Sequence, residues 1–315
     1  MTKIASLLTL LVMVLVCSLP AAPALAQRDR VFVASYGSDS NPCTFGSPCK
    51  TFQQAIDVVA QGGEVTAIDS AGFGTFTISH AVTITSPNGV EAGVAAPASF
   101  ANAITINAGS SDIISLNGLT LDGDNVAHTT GIQFTAGGSL EIQNCVIRNF
   151  TTGINLEGQT SYTFAVSNTL VSHNAIDGID VNPGSTANVT AVLDHVETND
   201  NGNGGIDIEG NTSPGTLQVT VSDSVSAKNQ IGILSNTFTG TANVMVRNST
   251  IANNTGDGLS ANNTGVIILV TRSTITGNGT GWSAASGGTV TTFSDNNIVG
   301  NGSVNTAPTS TATYE

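Results

Sequence analysis

Basic residues are scarce in this chain of 315 residues, which has eight Lys and Arg against 22 Asp and Glu. The formal net charge is therefore −14 at neutral pH. Nucleic acids and anionic membrane surfaces are bound mainly through clustered Lys and Arg. The composition excludes both as expected partners. A polymer with one carboxylate per sugar is repelled for the same reason unless divalent cations screen its approach.

Aromatic residues and helical patterns are also scarce. Aromatic residues make up 5% of the chain and charged residues 10%. After residue 61 no stretch keeps apolar residues at the spacing of three to four that a helix requires, which excludes a helical solenoid. Glycine is abundant, with 35 residues, and Asn, Ser and Thr are frequent. This composition is typical of short strands joined by tight turns.

The N-terminal segment has the organisation of a secretion signal. Lys3 supplies the positive end, residues 4–19 are apolar, and small residues at 24–26 suit cleavage after Ala26. A transmembrane anchor is the alternative, but two prolines break the segment and no stop-transfer charges follow. We therefore predict a signal peptide at 1–26 and a secreted, periplasmic or extracellular protein. No membrane insertion is expected after cleavage.

Four cysteines are present, and each has a different expected role. Cys17 leaves with the signal peptide. Cys43 and Cys49 flank a turn-rich loop, so an oxidising compartment favours a disulfide between them. A metal pair is the alternative, although no second Cys or His pair completes such a site. Cys145 lies in an apolar segment and is expected to be a small core residue.

Two columns of residues recur from residue 131 onward at intervals of 22 to 29 residues. The first column is a glycine followed by a large apolar residue, at Gly131-Ile132, Gly153-Ile154, Gly178-Ile179, Gly205-Ile206, Gly232-Ile233, Gly258-Leu259 and Gly281-Trp282. The second column is a polar residue that closes a short segment, at Asn174, Asp200, Asn229, Asn254, Asn278 and Asn301. A fixed period of this length indicates a solenoid.

Short apolar runs alternate with polar residues inside each repeat, which favours about three strands per repeat. In stacked coils of this kind each Asn lies above the next, where its amide can bond to turn backbone. The Asn and Gly-Ile repeats resemble the pectin-lyase-like superfamily. So do the opening segment 31–39 and the amphipathic segment 48–56, which is similar to the family's capping helix.

This resemblance implies an all-β fold, a right-handed parallel β-helix with a short N-terminal capping helix. The expected organisation is an N-terminal strand, disulfide loop and capping helix at 27–62, the β-helix at 63–305 and a loose tail at 306–315. Family members that hydrolyse polygalacturonate carry Asn-Thr-Asp, Asp-Asp, Gly-His-Gly and Arg-x-Lys segments, and none of these occurs here. The resemblance therefore implies a fold without naming a reaction.

The strand after each Gly-Ile pair predicts one polar face. If the apolar residues of these strands point inward, their neighbours point outward on adjacent coils. The predicted acidic wall consists of Asn155, Glu157, Asp180, Asn182, Asp207 and Glu209. Adjacent coils lie ~4.8 Å apart, so Asp180 and Asp207 could approach the roughly 5 to 5.5 Å separation of a retaining glycosidase pair.

Three interpretations of this wall stay open: a solvated outer face, a glycan or calcium site, and a catalytic carboxylate pair at Asp180 and Asp207. No cofactor is predicted, except that oxygen ligands would suit Ca²⁺. We favour a secreted scaffold that binds extracellular or cell-wall polysaccharide without cleaving it. A divergent polysaccharide lyase or glycoside hydrolase is the alternative. The sequence leaves open whether the protein is an enzyme, and it predicts no oligomeric state.

Overall fold

The computed structural model describes residues 28–96, 101–184, 186–210, 215–303 and 308–314. The predicted signal peptide at 1–26 lies outside these residues. The described part of the chain contains one helix and 29 strands. No helix in this part combines the length and apolar character needed to span a bilayer.

The N-terminal half begins with a strand and the helix, and then continues as strands alone. Its elements are β1 (Arg28–Val33), α1 (Phe52–Val58), β2 (Val59–Ala67), β3 (Ala71–Gly72), β4 (Phe76–Ile78), β5 (Val82–Thr85), β6 (Ala92–Ala95), β7 (Asn102–Asn107), β8 (Ile113–Asn117), β9 (Leu119–Asp122), β10 (Thr130–Ala136), β11 (Ser139–Gln143), β12 (Val146–Arg148), β13 (Thr152–Leu156) and β14 (Tyr162–Ser172).

The C-terminal half continues the same succession of strands. Its elements are β15 (Ile179–Val181), β16 (Val189–Asn199), β17 (Gly204–Gly210), β18 (Thr216–Ser222), β19 (Val225–Ala227), β20 (Ile231–Thr237), β21 (Thr241–Arg247), β22 (Thr250–Ala252), β23 (Asp257–Asn262), β24 (Val266–Thr271), β25 (Thr274–Thr276), β26 (Thr280–Ala285), β27 (Thr289–Thr292), β28 (Asn297–Val299) and β29 (Ser310–Thr311).

The strands form two parallel sheets that wind around a common core. Sheet 1 has nine strands in the order β26-β23-β20-β17-β15-β13-β10-β7-β4, and sheet 2 has the other twenty. Each coil contributes one strand to sheet 1 and commonly two to sheet 2, and these two merge into single long strands in β14 and β16. The predicted parallel β-helix with about three strands per coil is confirmed.

Apolar residues of the repeat stack inside the coils. Ile154, Ile179 and Ile206 are register partners on neighbouring strands of sheet 1 and are at most 1% exposed. A glycine precedes each of them because the backbone of the next coil comes close. A Cβ atom on Gly178 would lie 2.6 Å from the carbonyl oxygen of Gly205, closer than real Cβ atoms approach. This close contact explains the Gly-Ile column.

Six asparagines, five of them buried and Asn301 half-buried, form a ladder at the turn between sheet 2 and sheet 1. In each step the side-chain oxygen of one asparagine accepts from the backbone N–H and side-chain amide of the asparagine one coil earlier, as Asn229 does from Asn201 at 2.9 and 3.1 Å. The members are Asn174, Asn201, Asn229, Asn254, Asn278 and Asn301. The ladder satisfies polar groups that the core would otherwise leave unpaired.

One residue that the sequence analysis assigned to the asparagine column was wrong. Asp200 does not belong to the ladder, and its neighbour Asn201 does. Asp200 has a positive φ of 58°, and it precedes the ladder position as His173 and Lys228 do. A short charged side chain is tolerated in that exposed turn, whereas the buried position requires a group that both donates and accepts.

The helix covers the N-terminal end of the core. Thr51 caps α1, accepting from the Gln54 amide at 3.2 Å, and Phe52 packs on Phe73 and Phe76 with ring centroids 5.0 and 5.2 Å apart. The expected disulfide joins Cys43 and Cys49, whose Cα atoms are 4.6 Å apart. Cys145 is a free cysteine and is buried as predicted.

The described part of the C-terminal tail differs from the loose segment expected after residue 305. Ser310 and Thr311 pair with Thr291 and Thr292 of β27. The ring of Tyr314 stacks on Phe293 at 5.0 Å. The unpaired edge of β27 offers backbone partners that composition alone does not reveal, and residues 308–314 occupy part of it.

Candidate functional site

The outer face of sheet 1 brings the predicted acidic wall together. One row runs across four consecutive strands in register, from Gln133 through Asn155 and Asp180 to Asp207, and Leu234 ends it. This row alternates with the buried apolar positions because successive side chains of a strand point to opposite faces. The predicted residues Asn155, Asp180 and Asp207 are therefore direct neighbours.

A second row follows two residues later along the same coils. Asn182 donates to Glu209 at 3.4 Å, and Glu157 accepts from the side-chain amides of Asn155 at 3.1 Å and Gln133 at 3.0 Å. Gln133 was not predicted, although its place opposite Asn155 follows from the Gly-Ile spacing. We call the two rows together the acidic patch, consisting of Gln133, Asn155, Glu157, Asp180, Asn182, Asp207 and Glu209.

The patch is less solvated than an ordinary outer face. Asp207 is only 4% exposed, so the interpretation of carboxylates spread by water fails at this residue. One side-chain oxygen (Oδ1) of Asn155, Asp180 and Asp207 is buried and has no hydrogen-bond partner among the described residues. Buried polar atoms without partners are rare in native structures and often occur at functional sites.

Burial and neighbouring charges change the protonation of both aspartates. Burial raises the pKa of Asp180 to about 8, and the nearby carboxylates of Asp177, Glu209 and Glu157 add to the effect. Burial likewise raises the pKa of Asp207 to about 9, with further contributions from Glu209, Asp177 and Asp180. Because both pKa values lie above neutral pH, both carboxyl groups hold protons under physiological conditions.

Asp177 is a carboxylate of this cluster that the sequence pattern did not single out. It is buried and accepts hydrogen bonds from the Gly204 amide at 2.7 Å and from the Asn203 side chain at 3.0 Å. Burial is the largest cause of its raised pKa. The segment Asp177-Gly-Ile-Asp180, with an acid on each side of Gly-Ile, was the available signal.

The coil cations lie away from the acidic patch. Each follows or ends a strand of sheet 2 and faces an aspartate one coil away at 2.8 to 4.0 Å, in the pairs Arg148–Asp122, Lys228–Asp200, Arg247–Asp223 and Arg272–Asp295. All four cationic side chains are about half exposed or more. Such exposed pairs contribute little to stability. The four cations lie along sheet 2, whereas the acidic patch lies on the outer face of sheet 1.

Two histidines of the coils lie outside the patch, His173 just after the end of β14 and His195 within β16. His173 and His195 have positive φ angles of 57° and 54°. His195 contacts Asp194 at 2.8 Å, and this hydrogen bond is the largest cause of its raised pKa. Among the residues that the structure describes, no three or more His, Cys, Asp or Glu side chains gather as a metal site.

The geometry allows two kinds of chemistry. A protonated carboxyl both donates and accepts, so it can bind a sugar hydroxyl in either direction. A carboxyl with a pKa near or above neutrality can also act as a general acid. Side chains on neighbouring strands are ~4.8 Å apart, which is close to the roughly 5 to 5.5 Å of retaining glycosidase pairs.

A protein-family model described as a right-handed beta helix region matches residues 66–226. The matched stretch covers slightly more than half of the chain and contains the acidic patch. The chain belongs to this β-helix family. The resemblance to pectin-lyase-like proteins is thereby confirmed for the fold. A search of curated proteins finds no significant match.

Solved structures share the fold of this β-helix protein at low sequence identity. The pectate lyase Pel9A has a TM-score of 0.64 and 15% identity, covering 91% of this chain and 80% of its own. The A-module of the mannuronan C-5 epimerase AlgE6 from Azotobacter vinelandii has a TM-score of 0.50 and 14% identity, covering 79% and 89%. At such identities the similarity establishes the architecture alone.

Proposed function

We propose that this β-helix protein binds an extracellular or cell-wall polysaccharide along the acidic patch, as a scaffold that does not cleave it. The observation that carries the proposal is the row of polar side chains in register on consecutive strands, with the buried oxygens of Asn155, Asp180 and Asp207 unpartnered among the described residues. A linear polymer lying along the coil axis would contact one such side chain per coil.

The fold and the charges support this choice of ligand. The structural neighbours are named as a pectate lyase and a mannuronan epimerase, which are proteins that act on polysaccharides. Those named substrates are polyuronates, whereas the patch here is acidic and the coil cations lie along sheet 2. We therefore expect a glycan without dense negative charge. The disulfide between Cys43 and Cys49 supports export to an oxidising compartment.

A glycan array combined with a reducing-sugar assay tests the proposal. We expect retention of at least one glycan without release of new reducing ends or unsaturated products. Substituting Asp180→Asn and Asp207→Asn should weaken this retention, whereas Glu141→Gln on sheet 2 should leave it unchanged. Failure to bind any member of a panel of neutral, anionic and cationic glycans would contradict the proposal.

Calcium-dependent binding of an anionic polymer is a specific version to test. Carboxylate oxygens suit Ca²⁺, and Glu157, Asp180, Asp207 and Glu209 are the residues that would supply them. We expect no cleavage of polygalacturonate in chelator and little with added calcium. Efficient cleavage in chelator that is lost in Arg148→Ala or Lys228→Ala would instead place the active site beside the cations of sheet 2.

Glycoside hydrolysis is the second candidate, and the raised pKa values of the two aspartates favour it. Asp207, with a pKa of about 9, would act as the general acid, and Asp180, with the lower pKa of about 8, would have to lose its proton to act as the nucleophile. New reducing ends from a neutral glycan, lost in Asp207→Asn but retained in Glu141→Gln, would select this function over the scaffold. A bell-shaped pH profile would further support the pair.

A further inference from the structure

The acidic patch is rich in acceptors, and its main free donors are the protons that Asp180 and Asp207 hold near neutral pH. Carboxylates of five residues influence one another there, namely Glu157, Asp177, Asp180, Asp207 and Glu209. The nearby amides of Gln133, Asn155 and Asn182 already donate to Glu157, Gln133 or Glu209. A ligand that supplies donors therefore complements the patch better than one that supplies acceptors.

The unpartnered oxygens form a row rather than a converging cage. Asn155, Asp180 and Asp207 each contribute one buried oxygen on consecutive strands, and neighbouring strands are ~4.8 Å apart. The terminal torsion of an aspartate is broad, so each carboxyl can turn this oxygen toward a ligand on the outer face. Asp207, at 4% exposed, is the most enclosed of the three.

A primary ammonium group matches this row. It has three N–H donors and no acceptor, and its hydrogen bonds to carboxylates are about 2.7–2.9 Å long. A nitrogen between two oxygens ~4.8 Å apart reaches both. A calcium ion instead needs about six to eight converging oxygens, and the described residues contain no group of three acidic, His or Cys side chains arranged for a metal.

We propose that the polysaccharide bound by the acidic patch carries free primary amino groups, as a glucosamine polymer does, with its ammonium groups on Asp180 and Asp207. This inference rests on the proposed glycan-binding function and names the class of glycan. Successive amino sugars of a linear chain would meet successive coils. Each ammonium replaces a proton on an aspartate, and that proton goes to solvent.

The test compares three oligosaccharides of equal length by calorimetric titration of the full secreted chain at pH 5, where most amines of a glucosamine polymer are protonated. The first is β-1,4-linked glucosamine, the second its N-acetylated form, which lacks the charge, and the third its N-trimethylated form, which keeps the charge but lacks N–H donors. We expect the free amine to bind about 10-fold or more tightly than either derivative.

Two substitutions test the residues. Asp180→Asn and Asp207→Asn preserve shape but cannot give up a proton to an ammonium group, and each should weaken binding of the free amine about 10- to 100-fold. Glu141→Gln, a carboxylate on the outer face of sheet 2, is the matched control and should bind like the unaltered protein. Thermal unfolding of all three variants establishes that the coils remain folded.

The outcomes separate this inference from the function on which it rests. Equal binding of the free amine and the N-acetylated form overturns the amino-sugar assignment and leaves glycan binding intact. Binding of neither, with no other glycan retained, overturns both. Calcium binding that is lost in Asp207→Asn, without binding of the free amine, replaces the ammonium with a divalent cation and also overturns the assignment.

Discussion

The asparagine ladder and the acidic patch are both stacks of polar side chains in register on successive coils, yet their hydrogen bonding differs. In the ladder every side-chain oxygen from Asn201 to Asn301 accepts from the preceding coil at 2.8 to 3.2 Å. In the patch three oxygens have no partner among the described residues. The ladder therefore serves stability, whereas the unpartnered oxygens of the patch cost stability and are the groups that the proposed ligand would pair.

The largest expected effect comes from breaking the ladder at its centre. Asn229→Ala removes the acceptor of the Asn201 backbone amide and the donor to the carbonyl of Thr198. Leaving several buried groups unpaired should lower the free energy of unfolding by about 3–5 kcal/mol. Urea unfolding measures the change. Asn243→Ala, at a half-exposed position of β21, is the control and should shift stability by less than ~0.5 kcal/mol.

A smaller loss should follow from crowding the ladder without removing any of its groups. A Cβ atom on Gly205 would lie 2.2 Å from the Ser226 hydroxyl and 2.6 Å from the Asn229 side-chain nitrogen. Gly205→Ala should therefore lower unfolding free energy by about 1–3 kcal/mol through overpacking. A Cβ on Gly46 meets nothing within 4 Å, so Gly46→Ala is the matched control. Equal losses in both variants would remove the explanation given for the Gly-Ile column.

Removing a carboxyl group from the acidic patch should raise stability at high pH, whereas the substitutions at the ladder lower it. Because the folded pKa of Asp207 is about 9 and its unfolded value is near 3.8, the folded protein binds an extra proton between these values. Stability is then fully present below about pH 4 and declines as pH rises toward 9. Asp207→Asn cannot ionise, so it should be more stable than the unaltered protein at pH 9, by at least about 1–2 kcal/mol.

Unfolding at pH 5 and pH 9 measures this difference, which should be larger at pH 9. Glu141→Gln should show no such pH-dependent gain. A loss of stability in Asp207→Asn at pH 9 would mean that its carboxylate is well accommodated by the fold, and the contrast between ladder and patch would disappear.

The architecture could be predicted because it depends on residues that recur at a regular spacing along the sequence. Glycines such as Gly178 and Gly205 recur wherever one coil meets the next, and the apolar residue after each glycine enters the core. The rows of the patch followed from the same register. The ladder was predicted with an error of one position at Asp200, because the turn residue before the ladder and the ladder residue itself are both polar.

The environment of the patch could not be predicted in the same way. Strand alternation indicates that Asp207 points outward, but it does not indicate that the residue is only 4% exposed. The partners of Asp177 likewise come from Asn203 and Gly204, one coil later. The docked tail is a third example, since the stacking of Tyr314 on Phe293 depends on a sheet edge in three dimensions.

The ladder also has a consequence for how such a chain could have grown. Each asparagine bonds to its counterpart 23 to 28 residues away along the chain, and the donor always lies in the earlier coil. A tandem duplication of one coil would thus supply its own donor and acceptor and reconnect the ladder on both sides. Gene duplication could lengthen the protein one coil at a time, while a patch on the outer face diverged independently of the bonds that hold the coils together.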